Sequence, residues 1–106
     1  MGSGFLESVY EKCMMIELKR LGLDADAQRP IKVYYDDVVV GEFIADIVVN
    51  DSIILELKAI RAINKIHEVQ LVNYLVATRQ SLGLLLNFGD EKVEVKRKVK
   101  SFEGIK

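Results

Sequence analysis

The chain has 106 residues, half of them hydrophobic, and a net charge of −1, which is the composition of a folded globular domain. This length predicts a single domain over residues 1–106. The one cysteine, Cys13, excludes an internal disulfide, and its helical context predicts that it packs in the core. Because the chain has no disulfide framework, we expect it in the reducing cytoplasm. No apolar run is long enough to span a bilayer, and the N-terminus lacks signal-peptide features.

Helical periodicity opens the chain and strand patterns follow. Apolar residues recur at helical spacing over residues 5–21, and Gly22 suits the end of that helix. The stretches IKVYYDD and VVVGEFIADIVV then predict two strands with a turn at Asp36–Asp37.

The second half of the chain predicts a strand, a helix and two further strands. IILELK is the strand, Asn64 caps the helix in INKIHEVQLVNYLVATRQ, and LGLLLNF predicts a strand covered on both faces. The basic stretch KVEVKRKV predicts an edge strand. The order α-β-β-β-α-β-β predicts an α/β (α+β) domain, in which two helices flank a central mixed sheet. The strands joined through the second helix run parallel.

Three charged residues interrupt apolar strands and need a partner. Asp46 lies within IADIVV, and Glu56 and Lys58 lie within IILELK. Burying an unpaired charge costs several kcal/mol, whereas a divalent cation is held by one or two carboxylates, water and substrate phosphate. A metal site is therefore one explanation. The other is that Glu56 and Lys58 lie on a solvated sheet face and pair with their neighbours.

The metal explanation requires one particular hairpin register. A two-residue loop would set Asp46 opposite Leu55, on the wrong face. A three-residue loop over residues 50–52 pairs Val49 with Ile53 and sets Asp46 opposite Glu56. A bulge near Asp46 would serve equally well.

Four blocks of sequence resemble one known family in the same order. GFLESVY matches the G-x-x-E-x-x-Y signature of the GxxExxY protein family, and IADIVV, ILELKAI and IHEVQLVNYL are similar to its other blocks. The resemblance covers the chain from about Gly4 to Lys98. That family is placed in the PD-(D/E)xK nuclease superfamily, so the resemblance implies a restriction-endonuclease-like fold. It also implies a Mg²⁺- or Mn²⁺-dependent nuclease that hydrolyses phosphodiester bonds.

The resemblance assigns roles to individual residues. It implies that Asp46 and Glu56, with the Leu57 carbonyl, hold the metal ion. Lys58 would position the attacking water or stabilise the transition state. Two further residues are implied in the catalytic site, Glu7 from the first helix and Gln70 from the second.

The partners follow from the same resemblance and from the basic C-terminal strand. Nucleic acid, DNA in the first instance, is the implied partner, and Lys96, Arg97 and Lys98 are candidates for phosphate contacts. Relatives in the family usually carry a helix before the signature, and here that helix is either missing or supplied otherwise. Its loss would expose an apolar surface and favour a homodimer. The net charge of −1 favours an alternative, a non-catalytic nucleic-acid-binding or dimeric assembly module that retains the nuclease fold.

Overall fold

The computed structural model describes residues 3–89 and 93–100 and confirms the predicted element order. Lys92, at the predicted start of the last strand, lies outside the described residues. Neither helix in the described part combines the length and apolarity that crossing a membrane requires. The elements are α1 (Ser3–Arg20), β1 (Ala25–Tyr35), β2 (Val38–Val49), β3 (Ile53–Lys58), α2 (Lys65–Thr78), β4 (Leu82–Asn87) and β5 (Glu94–Val99).

The five strands form one mixed sheet in the order β1-β2-β3-β4-β5. The strands β3 and β4 are parallel, as the crossover through α2 predicts, and the other neighbouring pairs are antiparallel. The basic strand β5 lies at an edge, as expected. The predicted fold class, a mixed sheet flanked by two helices, is therefore confirmed.

Each helix covers one face of the sheet and closes a separate core. On the first face, Leu18 of α1 packs with Ile47, Val49, Leu55, Leu57 and Leu86. On the second face, Leu71 and Leu75 of α2 pack with Ala45, Val48, Ile54 and Leu85. Both faces of β4 contribute to these cores, which confirms that it is a doubly covered strand.

The strand β1 begins six residues earlier than the sequence predicts. The prediction started at Ile31, but pairing with β2 extends the strand back to Ala25, opposite Val49. Tertiary pairing overrides the weak strand propensity of the polar residues in between. Pro30 is accommodated because β1 is an edge strand.

The prediction that Cys13 packs in the core is wrong, because its side chain is exposed. The helix α1 carries apolar residues on two sides, and it buries the side of Met14 and Leu18 against the sheet. Periodicity alone did not identify which side faces the core.

Candidate metal and nucleic-acid site

The hairpin between β2 and β3 adopts the register that the metal hypothesis requires. Val49 lies opposite Ile53, so the loop has the three residues Asn50, Asp51 and Ser52. The Ser52 amide donates to the Val49 carbonyl over 3.1 Å. Asn50 and Asp51 have φ values of 53° and 59°. Asn and Asp tolerate this left-handed conformation better than most residues, which fixes the turn locally.

Backbone pairing between β2 and β3 ends at Ile47, the residue next to Asp46. From there on, two carboxylates make the contacts between the strands. The last backbone pair joins Ile47 and Leu55. Beyond it, the Leu57 amide donates to Asp46 Oδ2 over 2.8 Å, and the Asp46 amide donates to Glu56 Oε1 over 3.3 Å. Each carboxylate therefore accepts from the backbone of the neighbouring strand, which compensates part of the cost of placing it among apolar residues.

The strand β2 is irregular at Asp46. Ala45 and Val48 both belong to the core on the α2 side, although an ideal strand would place them on opposite faces. The ladder with β1 skips Asp46 and Gln28, and Gln28 has a φ of 51°. This local distortion turns Asp46 towards the α1 side of the sheet, so the expectation that the register places Asp46 and Glu56 on one face is wrong.

The predicted site residues line two cavities, one on each side of the sheet. Asp46 lines a cavity of about 290 Å³ under α1, together with Glu7, Ser8, Glu11 and Gln28. A smaller cavity, of about 50 Å³, lies under α2 and is lined by Glu56, Lys58, His67, Gln70, Leu71, Tyr74 and Leu85. The two carboxyl groups meet between β2 and β3, and each opens on a different cavity.

The electrostatics of Glu56 are strongly perturbed. Burial, and after it the negative charge of Asp46, raise the pKa of Glu56 to about 8, although the Asp46 amide and Lys58 act to lower it. Glu56 therefore keeps a proton at neutral pH. A cation bound between the two carboxylates would stabilise the ionised form, because it removes the repulsion that raises the pKa.

The donor set fits a hard divalent cation with a partly aqueous shell. Among the described residues, no group of three His, Cys, Asp or Glu side chains is placed to hold a metal ion. The two carboxylates of Asp46 and Glu56, with a backbone carbonyl such as that of Leu57, match the sparse protein ligation that Mg²⁺ usually has.

Glu7 ties α1 to the residue that follows Lys58. Its Oε2 accepts a hydrogen bond of 3.1 Å from the Ala59 amide, and the Lys58 carbonyl accepts one of 2.8 Å from the Phe88 amide. Phe88 also stacks on Tyr10, with ring centroids 4.5 Å apart. The predicted catalytic residue Glu7 thus has a positioning contact, and the backbone of Lys58 is held from two directions.

The start of α2 places His67 and Gln70 beside Lys58. Asn64 caps the helix as predicted, accepting from the Ile66 and His67 amides. The His67 Nδ1 atom accepts from the Asn64 amide over 3.2 Å, which assigns the proton of the neutral ring to Nε2. His67 therefore has a structural role as a capping residue, and exposed Gln70 lies one turn further on.

The sequence analysis missed Asn87, which is fully buried at the end of β4. Its Oδ1 accepts from the Ile60 and Gly89 amides, over 2.9 and 3.1 Å. Its Nδ2 donates to the Ile60 carbonyl and to Glu94 Oε1, each over 2.9 Å. This network fixes the segment between Lys58 and α2. A polar residue ending the apolar run LGLLLN was the available signal.

Gly89 packs against the same segment, with its backbone close to that of Ile60. A Cβ atom placed on it would lie 2.0 Å from the Ile60 carbonyl oxygen, so the two backbones pack too closely for any side chain.

The basic residues of β5 do not share one face. Lys96 lies opposite Leu85, which in turn lies opposite Glu56, so Lys96 occupies the same row and face as Glu56. Lys98 forms an ion pair of 2.7 Å with Glu68 of α2, and this contact lowers the pKa of Glu68. Arg97 lies opposite Leu84, on the α1 side of the sheet. Of the three candidates, Lys96 is the one aligned with Glu56.

One comparison with known proteins gives a family. A model of the PD-(D/E)XK nuclease superfamily matches residues 1–98, a range that includes every candidate site residue named above. No curated protein and no solved structure matches the chain.

Proposed function

Since this chain belongs to the PD-(D/E)XK nuclease superfamily, we propose that it hydrolyses phosphodiester bonds of nucleic acid with the help of Mg²⁺ or Mn²⁺. The observation that carries the proposal is the pair of hydrogen bonds that lock Asp46 and Glu56 together where β2 and β3 separate. The spacing of Gly4, Glu7 and Tyr10 supports the narrower assignment to the GxxExxY family. A cytoplasmic location is part of the same proposal.

The residues of the site divide the work between binding and positioning. Asp46, Glu56 and the Leu57 carbonyl would hold the ion, which when bound lowers the pKa of water and neutralises phosphate charge. Lys58 shares the cavity of Glu56 and offers an ammonium to the scissile phosphate. Glu7 holds the backbone that follows Lys58, and Gln70 offers an amide donor at the mouth of the same cavity.

The substrate we propose is nucleic acid, with DNA as the first choice. Lys96 lies two strands from Glu56 on the same face of the sheet, a separation of about 10 Å at the usual strand spacing. A strand that presents its scissile phosphate to Lys58 would bring a neighbouring phosphate within reach of Lys96. This alignment supports a polyanionic substrate.

One observation favours a second candidate, a non-catalytic nucleic-acid-binding or dimeric assembly module that keeps the nuclease fold. Asp46 and Lys58 open on opposite sides of the sheet, and the chain has no basic surplus. Such a module would bind nucleic acid through its basic residues in the absence of a metal ion.

Calorimetric titration with Mn²⁺ tests the metal site directly. We expect the native chain to bind below millimolar metal and Asp46→Asn to lose that binding, because the substitution removes a charged ligand. Asp37→Asn is the matched control, since Asp37 is exposed in the β1–β2 turn and Asn tolerates its φ of 65°. Equal binding by Asp46→Asn and the native chain would contradict the proposed ligand set.

A cleavage and binding assay separates the two candidate functions. We expect labelled DNA to be cleaved with Mg²⁺ or Mn²⁺, and cleavage to disappear with EDTA and in Lys58→Met. Salt-dependent DNA binding that persists in EDTA, without cleavage under any metal condition, would favour the non-catalytic module.

A further inference from the structure

The helix α1 presents an apolar stripe to solvent on the side away from the core. Leu6 and Val9 are each 42% exposed, Ile16 is 54% exposed, and Cys13 is exposed as well. Leu18, on the opposite side of the same helix, is 8% exposed and packs on the sheet. A helix with two apolar sides can bury only one of them against its own domain, and the other stays exposed.

The spacing of the stripe is that of a coiled-coil seam. Residues 6, 9, 13 and 16 are separated by three, four and three positions, which assigns Leu6 and Cys13 to heptad position a and Val9 and Ile16 to position d. Leu18 then falls at position f, diametrically opposite the seam. The rest of the domain therefore lies behind the helix, and within residues 3–89 and 93–100 the seam is open to a partner helix.

We propose that two copies of this chain associate through parallel α1 helices, with these four residues as the seam. Charged neighbours favour a second copy in parallel orientation. In this heptad assignment, Lys12 is at position g of the first heptad and Glu17 is at position e of the second. In a parallel pair, position g contacts the e position five residues further along the partner, so Lys12 of each copy meets Glu17 of the other. In an antiparallel pair centred on the seam, position g lies beside position g of the partner, so Lys12 of each copy would meet Lys12 of the other.

The flanking charges are available for this exchange. Glu17 binds Arg20 of its own helix over 2.9 Å, in a pair whose side chains are 60% and 71% exposed. An exposed pair of this kind contributes little, so Glu17 is free to accept a second cation. The cavity of Asp46 stays open in the dimer, because none of its lining residues belongs to the seam.

Sedimentation velocity of the full chain, from micromolar to millimolar concentration, tests the association. We expect a monomer–dimer equilibrium in which Ile16→Glu raises the dissociation constant at least ~100-fold, because it buries a carboxylate in the seam. Val76→Glu is the matched control: Val76 is an exposed valine on α2, and its substitution should leave the constant unchanged. A monomer at millimolar concentration, or a tetramer, would overturn the proposal.

Charge reversal tests the register. Lys12→Glu and Glu17→Lys should each raise the dissociation constant about tenfold, since each creates two like-charge contacts, and the double variant should return to within about threefold of the native value. Absence of this recovery would overturn the parallel register.

Oxidation at Cys13 tests the orientation independently. In the parallel dimer the two thiols occupy one layer, so oxidised glutathione should convert them to an intermolecular disulfide, with release of two molecules of reduced glutathione. In an antiparallel pair centred on the seam they are offset by four residues, about 6 Å along the axis, which is too far for a disulfide without rearrangement. Cross-linking no faster than in monomeric Ile16→Glu would overturn the parallel orientation. Both tests are independent of nuclease activity.

Discussion

The Asp46 amide donates to Glu56 Oε1 over 3.3 Å, so a carboxylate of β3 is held by the backbone of β2 where the two strands separate. The return contact from the Leu57 amide to Asp46 Oδ2 makes the arrangement reciprocal. These two contacts replace the backbone ladder and bring two acidic groups together in a partly buried position. The closeness of these two acidic groups affects the stability of the fold, whether or not the protein is an enzyme.

The first prediction concerns Glu56 and pH. Its folded-state pKa is raised to about 8 from 4.5, so between these pH values the folded state retains a proton that the unfolded state releases. The free energy of unfolding should therefore fall by up to about 1.4 kcal/mol per pH unit as the pH rises through this window. Above the window this loss of stability is complete. We expect Glu56→Gln to be more stable than the native chain by about 2 kcal/mol or more at pH 8, and similar at pH 4.5.

Urea denaturation at several pH values measures this difference. Glu42→Gln is the control, because Glu42 is an exposed glutamate of β2. A stability difference between native and Glu56→Gln that does not change from pH 5 to pH 8 would contradict the assignment.

The second prediction separates the two roles of Glu7. Glu7→Gln keeps an oxygen that accepts from the Ala59 amide, whereas Glu7→Ala leaves that amide without its partner. We expect unfolding free energy to change by less than about 0.5 kcal/mol in Glu7→Gln and to fall by about 1.5 kcal/mol in Glu7→Ala.

Mn²⁺ titration of the same two variants measures how much the negative charge of Glu7 contributes to metal binding. Glu7 shares the cavity of Asp46, so loss of its charge should weaken Mn²⁺ binding about threefold or more in both variants. Unchanged affinity in Glu7→Gln would limit Glu7 to the positioning contact.

The third prediction concerns Asn87. Replacement by Ala leaves the Ile60 and Gly89 amides and the Ile60 carbonyl without their partner in a partly buried position. We expect a loss of about 3 kcal/mol in unfolding free energy. Asn73→Ala, at an exposed position of α2, serves as control and should change stability by less than about 0.5 kcal/mol. Similar losses in the two variants would show that the Asn87 network contributes little.

The fourth prediction compares two basic residues of β5. Lys96 shares a face with Glu56, and Arg97 lies on the other face. Lys96→Ala should weaken DNA binding about threefold to tenfold and reduce the salt slope by about 1, as loss of one phosphate contact does. Arg97→Ala should leave both quantities nearly unchanged. Fluorescence anisotropy over a range of salt concentrations, with Ca²⁺ in place of Mg²⁺, provides the measurement, and the reverse ranking would place DNA on the α1 side.

Local patterns in the sequence determined much of the fold. Hydrophobic periodicity gave the order of helices and strands, and the Asn64 cap gave the start of α2, because these features depend on neighbouring residues. The sequence left the register of β2 on β3 open between a two-residue and a three-residue loop, and the structure has the three-residue loop. The resemblance identified candidate residues, and the superfamily match supports the class of activity.

Contacts between distant parts of the chain decided the rest. The separation of β2 from β3 and the irregularity at Gln28 and Asp46 place Asp46 and Lys58 in different cavities, which depends on three strands at once. The burial of Asn87 depends on a loop 27 residues away. The side of α1 that faces the core was also undetermined, because both sides are apolar and only packing on the sheet distinguishes them. For the same reason, the exposure of Cys13 could be learned only from the tertiary structure.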